Sequence, residues 1–213
     1  MFIRELWKVA IGLDKIEGLN NQHLSIVAKE MQTKFQLENA TYFFNRNRYN
    51  CFIEYANDLE INKLAKATIS SVRHYLTDLY DETEPYELEI QGWSMVQGWG
   101  EFVMPHHHVG HHLSAVFYVD VPEITKSPIK GSGSIFFNHP APLARSWIVR
   151  SGKNPENNIH SVNIKTNDLL IFPSYLIHSV TPWFGDRERI AYAMNLFVKR
   201  DIDFEPMLSE RKL

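Results

Sequence analysis

The chain has 213 residues, 44% hydrophobic and 22% charged, with a formal net charge of −3. That composition excludes a disordered or fibrous chain, and the length is enough to bury a core without disulfide or metal staples. So small a net charge supplies no field for nucleic-acid phosphates or an acidic membrane surface, and neither is expected as a partner.

The opening stretch, MFIRELWKVAIGLDKIEG, is too charged for a secretory signal. No run of 18 apolar residues suggests a transmembrane helix. Residues 20–36 carry Leu24, Val27, Ala28 and Met31 at spacings of three and four, which predicts an amphipathic helix. The single cysteine, Cys51, excludes an internal disulfide framework. Beside Phe52 and Ile53 it is expected to be a small buried hydrophobe, and the compartment is expected to be the reducing cytoplasm. Residues 58–80 repeat the helical spacing through Leu59, Ile61, Leu64, Ala67, Ile69, Val72, Leu76 and Leu79. Asn57 or Asp58 is placed to cap this second helix, with Glu60 in its first turn, and DETEP at 81–85 ends it.

From residue 86 the character changes. The runs ELEIQGWSMVQGWG, LSAVFYVDVP, GSIFFNHP, IHSVNIK, DLLIFPS and RIAYAMNLFVK are rich in aromatic and β-branched residues and are separated by Gly, Pro and Asn turns. They read as short strands. Many short strands at even spacing suggest a barrel or a double-sheet jelly roll. The expected plan is one mainly β (α+β) domain over 1–213. In it a mixed helical region of about 1–85 packs on one face of a β-core over 86–200.

Half of the ten histidines fall within seven residues: His106, His107, His108, His111 and His112. On a strand, residues i and i+2 share a side, so His106 and His108 could aim two imidazoles at one point. Imidazole suits Fe, Zn, Cu and Ni. A third ligand must come from elsewhere, and Glu101, Asp120, His139, His160 and His178 are the candidates. His178 has the best context, because DLLIFPSYLIHSV is an apolar strand followed by a Pro turn and then the histidine. Eleven residues on, Arg189, Ala191, Ala193 and Asn195 alternate along another strand. An arginine on an inward face with small neighbours needs a carboxylate, because a lone buried guanidinium is costly and its planar fork pairs with one. The plainer alternative for Arg189 is a surface ion pair with Asp186 or Glu188.

The order and spacing of PHxH, LSxVxY, FPSxLxHxV and ERI over about residues 93–198 resemble the 2-oxoglutarate- and Fe(II)-dependent oxygenases. More narrowly, they are similar to a little-characterised branch of that family. The resemblance implies a double-stranded β-helix (a cupin-like jelly roll) that uses Fe(II), 2-oxoglutarate as co-substrate and O₂. It implies His106 and His178 as metal ligands, with Arg189 and Tyr118 holding the distal carboxylate of 2-oxoglutarate. His108 stands where the family has an acidic ligand. That departure removes one negative charge from the usual two-histidine, one-carboxylate triad. Three histidines are the favoured set. Asp120 or Glu101 swinging in, or two protein ligands plus a halide or water, are the alternatives.

The implied activity is hydroxylation of an unactivated C–H, releasing succinate and CO₂. The substrate is left open between a small molecule and a peptidyl side chain. A cupin-like three-histidine dioxygenase without 2-oxoglutarate would explain His108 better but leave Arg189 and Tyr118 unused. A β-sandwich binding module without a metal is the non-enzymatic alternative. His107, His111 and His112 are expected to bind substrate, orient ligands or be solvated. Trp93 and Trp99 are expected in the core or a pocket wall, His139 in a turn, and His23 and His74 at the surface or in helix packing.

Overall fold

The computed structural model describes residues 9–34, 49–80, 86–140 and 159–199. In chain order these form β1 (Gly12–Lys15), α1 (Asn21–Lys34), α2 (Cys51–Glu54), α3 (Leu59–Tyr80) and β2 (Glu87–Gln97). There follow β3 (Val103–His106), β4 (Leu113–Asp120), β5 (Ile135–Asn138), β6 (Ile159–Val162), β7 (Asp168–Pro173), β8 (His178–Val180) and β9 (Arg189–Lys199). No helix among the described residues is long and apolar enough to cross a membrane.

Both predicted helices form. In α1 the buried side chains are Leu24, Val27, Ala28 and Met31, the stripe that predicted it. Its N-terminus is capped by Asn20, whose Oδ1 accepts the His23 N–H at 3.0 Å. In α3 the cap is Asp58: one carboxylate oxygen accepts the N–H groups of Glu60 and Ile61 at 2.9 and 3.1 Å. The other oxygen pairs with His23 Nε2 at 2.7 Å, joining the starts of α1 and α3. Leu59 and Leu79, part of the predicted stripe, lie exposed towards the ends of α3. The DETEP stop lies outside the described residues.

All strand pairs are antiparallel and build two sheets, β1-β7-β4-β9-β2 and β3-β8-β5-β6. From β3 to β9 the chain passes repeatedly between them, as a double-stranded β-helix does. The larger sheet is covered on both faces. Ala115, Phe117, Val119, Leu169, Ile171, Ile190, Tyr192, Met194 and Leu196 turn outward and pack with Leu24, Val27, Met31, Leu64 and Val72 of the helices. The alternate residues Tyr118, Leu170, Phe172 and Ala191 turn inward and meet Ile135, Phe137 and Val180 of the smaller sheet. Burying each such large side chain stabilises the fold by roughly 1.5–3 kcal/mol.

Two features differ from the sequence expectation. The N-terminal region also contributes β1, which extends the larger sheet beside β7. Only four residues long and mostly exposed, β1 has no alternation to betray it. Cys51 is fully buried at the start of α2, as expected, and burial pushes its thiol above the ordinary value.

Burial works to raise the Asp58 pKa, but the hydrogen bonds from His23, Ile61 and Glu60 prevail and hold it below the ordinary carboxylate value. Its stabilising effect is therefore complete above the unfolded pKa and is lost as pH falls through the lower folded one. Asp58→Ala is expected to cost about 1–2 kcal/mol in urea denaturation at pH 7, and Asp58→Asn, which keeps a capping oxygen, distinctly less.

Candidate metal and co-substrate site

The pairing of β3 with β8 sets His106 directly opposite His178. Their ring centroids are 4.2 Å apart. Each ring donates Nδ1–H to a carbonyl two residues back, His106 to Met104 at 2.8 Å and His178 to Leu176 at 2.9 Å. A carbonyl only accepts, so the proton sits on Nδ1 and the lone pair on Nε2. Such a backbone partner also fixes the ring's orientation, as it does for metal-bound histidines generally.

His108 corrects one premise of the sequence reading. β3 ends at His106, so strand alternation does not aim His106 and His108 together. The register shifts between Val103 and His106, and the chain then turns through Gly110 at φ 83°. His108 is held from across the site, its N–H donating to the Ser174 carbonyl at 2.9 Å. Its ring lies 5.0 Å from that of His106, 5.2 Å from that of His178 and 6.0 Å from that of Trp93. One nitrogen from each of the three imidazoles lies within 4.8 Å of the others.

Burial lowers the basicity of all three rings. It takes His178 to about 4 and His108 to about 3, with the neighbouring imidazoles adding to the effect. His106 is also lowered by burial, against its hydrogen bond to Met104. All three are neutral at pH 7 and present lone pairs. A set of three neutral nitrogens suits a first-row divalent ion, iron included. Among the described residues no acidic group joins the cluster. Glu101 accepts the Gly98 N–H at 2.7 Å, and Asp120 pairs with Arg187 at 3.1 Å.

Arg189 opens β9 and is 3% exposed. Nη1 donates to Gln97 Oε1 at 2.7 Å, and the guanidinium carbon lies 4.8 Å from the centre of the Tyr118 ring. Two buried polar atoms here, Arg189 Nε and Tyr118 Oη, have no hydrogen-bond partner among the described residues. Burial lowers the guanidinium pKa and raises that of the phenol, and each group opposes the shift of the other. Arg189 makes no ion pair with Asp186 or Glu188, and Glu188 is instead bound to Lys29 at 2.6 Å. A buried cation beside two unsatisfied donors is a site that lacks its acceptor, and a carboxylate supplies one. The donor set and this cradle therefore fit Fe(II) and 2-oxoglutarate.

Sequence reasoning missed two residues that shape the cradle. Gln97 is the cross-strand partner of Arg189 and holds its guanidinium. Trp183 packs against Gly133 and Gly185. A Cβ on Gly133 would stand 2.6 Å from the indole and 3.7 Å from Arg189 Cδ, so the indole walls the arginine's path. Neither residue type has a sequence signal here, because both roles arise from pairing between distant segments.

The other histidines and tryptophans are dispersed. His107 and His112 are exposed, and His112 Nδ1 accepts the Val198 N–H at 2.9 Å. His111 keeps a buried Nδ1 with no partner among the described residues. His139 and His160 lie outside the cluster. Trp93 is half-buried against the helix-side core. Trp99, expected in the core or a pocket wall, is 63% exposed in the turn after β2 and meets Phe184 edge-on. It borders a cleft of about 600 Å³ on the helix side of the larger sheet, lined also by Lys29, Asp120, Arg187, Glu188 and Ile190, with none of the three clustered histidines.

Residues 91–195 match the profile of the family described as "Putative 2OG-Fe(II) oxygenase". No curated protein sequence matches the chain. Among solved structures, the chain is similar to EvdO2 from Micromonospora carbonacea var. aurantiaca complexed with 2-oxoglutarate, at 12% identity and a TM-score of 0.51, over 90% of this chain and 87% of that one. It is similar to AviO1 from Streptomyces viridochromogenes Tue57 at 10% identity and a TM-score of 0.55, over 89% and 90%. It is also similar to SnoK, a non-heme alpha ketoglutarate dependent carbocyclase from nogalamycin biosynthesis, at 10% identity and a TM-score of 0.56, over 88% and 79%. At these identities the likeness is one of fold, the double-stranded β-helix.

The neutral histidines leave a mark on stability. Unfolded imidazoles take up protons below about 6.5, whereas His178 and His108 wait until about 4 and 3. The unfolded state thus binds more protons in that window, and stability falls as pH is lowered through it. The urea midpoint of chelator-treated protein is expected to drop between pH 7 and pH 5. An unchanged midpoint would contradict the depressed values.

Proposed function

Starting from a β-core, residues 91–195, that belongs to the 2-oxoglutarate- and Fe(II)-dependent oxygenase family, we propose that this protein holds its metal through His106, His108 and His178 and hydroxylates an unactivated C–H. The observation that carries the reading is the co-occurrence of two features. One is a set of three neutral imidazoles with convergent nitrogens, and the other is a buried guanidinium with an unsatisfied phenol beside it. When bound, Fe(II) with 2-oxoglutarate and O₂ supplies the oxidising power that converts C–H to C–OH, with succinate and CO₂ as co-products.

The chain's own groups position and exclude. The Met104 and Leu176 carbonyls keep His106 and His178 in the tautomer that ligates. Arg189, steadied by Gln97, takes the distal carboxylate of 2-oxoglutarate, and Tyr118 donates its hydroxyl to the same group. Trp183 and the inward apolar residues keep water from that carboxylate, which strengthens the pairing. No side chain acts as a general base. The substrate is a small molecule or a peptidyl side chain, and the setting is the cytoplasm.

A second reading has one observation in its favour. A cluster without a carboxylate also suits a cupin-like three-histidine dioxygenase that binds its substrate directly. That reading leaves the Arg189 and Tyr118 donors without a purpose.

Anaerobic titration of the Fe(II) protein with 2-oxoglutarate separates the two. The weak visible charge-transfer band of a chelated keto acid is expected to appear. Arg189→Ala is expected to weaken 2-oxoglutarate binding by about 3 kcal/mol, roughly a hundredfold. Iron bound without a band would favour the direct-binding dioxygenase. Full activity in His178→Ala would end the proposal.

A further inference from the structure

The charges around the cluster do not balance. This inference rests on the reading above. With a carboxylate among the ligands, a metal dication, that carboxylate, the 2-oxoglutarate dianion and the Arg189 cation would sum to zero. With His106, His108 and His178 as ligands, one positive charge is left over.

Among the described residues no acidic group joins the three histidines to offset it there, and the carboxylate of Asp168 acts on Tyr118 at the co-substrate end instead. On the bordering elements Asp120 is paired with Arg187 and Glu188 with Lys29, while Glu101 and Asp168 are turned to the N–H groups of Gly98 and Lys165 at 2.7 and 2.8 Å. The polar side chains beneath His108 are neutral and satisfy one another: Ser114 Oγ lies 2.8 Å from Ser174 Oγ and donates to Asn195 Oδ1 at 3.0 Å. An uncompensated charge in a partly buried site is costly, and an anionic ligand supplies the missing negative charge.

A polar atom is already available for it. His111 lies near enough to His108 to act on it electrostatically, and its Nδ1 is buried with no hydrogen-bond partner among the described residues. With its proton on Nδ1, that nitrogen is a donor without an acceptor, and beside an excess of positive charge an anionic acceptor suits it better than a neutral one. We propose that the prime substrate is an anion, whose carboxylate or other monoanionic oxyanion settles beside His108 and is hydrogen-bonded by His111. The site thereby favours a charged group for which the neutral balance of the usual carboxylate-containing triad has no special need.

The test uses the full chain loaded with Co(II) and saturated with 2-oxoglutarate, its visible spectrum followed on titration with acetate, acetamide or chloride. Acetate is expected to bind at least tenfold more tightly than acetamide and to leave 2-oxoglutarate in place. His111→Ala is expected to weaken acetate several-fold with little effect on acetamide, and His108→Asp to remove the preference. Equal affinity for acetate and acetamide in the unmodified protein would overturn the proposal without need of any variant. So would acetate binding only by displacing 2-oxoglutarate. Chloride binding as tightly as acetate would overturn the oxyanion assignment in favour of a small inorganic anion. Failure to bind Co(II), or to respond to 2-oxoglutarate at all, would instead overturn the oxygenase reading on which the inference stands.

Discussion

A sheet buried on both faces must assign every side chain to one of two cores, and the five-stranded sheet of this protein is built under that constraint. Outward residues of β4, β7 and β9 belong to the helix-side core, and inward residues belong to the space between the sheets. A one-residue slip in any of these strands would exchange the two sets. The inward face of β9 is small after its first residue, with Ala191 and Ala193 following Arg189. That leaves room beside the guanidinium, where a run of large residues would have filled the barrel. The site is thus a consequence of how the sheet divides its side chains.

The electrostatics follow from the same burial. Inside the barrel, imidazoles lose their protons because the charged form is poorly solvated. Arginine keeps its proton at neutral pH, since even a lowered guanidinium remains far above it. Burial therefore sorts the site into a neutral nitrogen cluster and a fixed cation. The cluster offers lone pairs, the cation demands an anion, and the Arg189 Nε and Tyr118 hydroxyl find no partner among the described residues. Groups left in that condition store a cost that a ligand relieves, which is why they point to binding more strongly than any exposed histidine does.

Much of this was legible in the chain. The helix α1 was legible because Leu24, Val27, Ala28 and Met31 recur at the helical period, and Asp58 was legible as a cap because it precedes an apolar run. The strands β2, β4, β5, β6, β7 and β9 were legible as β-branched and aromatic runs between turns. The inward position of Arg189 followed from its alternation with Ala191 and Ala193. Short elements without such patterns, β1, α2, β3 and β8, were not legible as elements, and Trp99 was read into the strand run although β2 ends at Gln97, because residue type alone does not say where a strand ends.

Local sequence determined which segments are helical or extended and which residue types are available for chemistry. Those properties depend on neighbours three or four positions away, or two along a strand. Only the tertiary structure decided that His106 faces His178, that His108 reaches the cluster from a loop held by Ser174, and that Gln97 and Trp183 frame Arg189. Those are pairings across tens of residues. They are set by strand register and by the requirement that every buried donor and apolar face find a partner, and no local pattern encodes them.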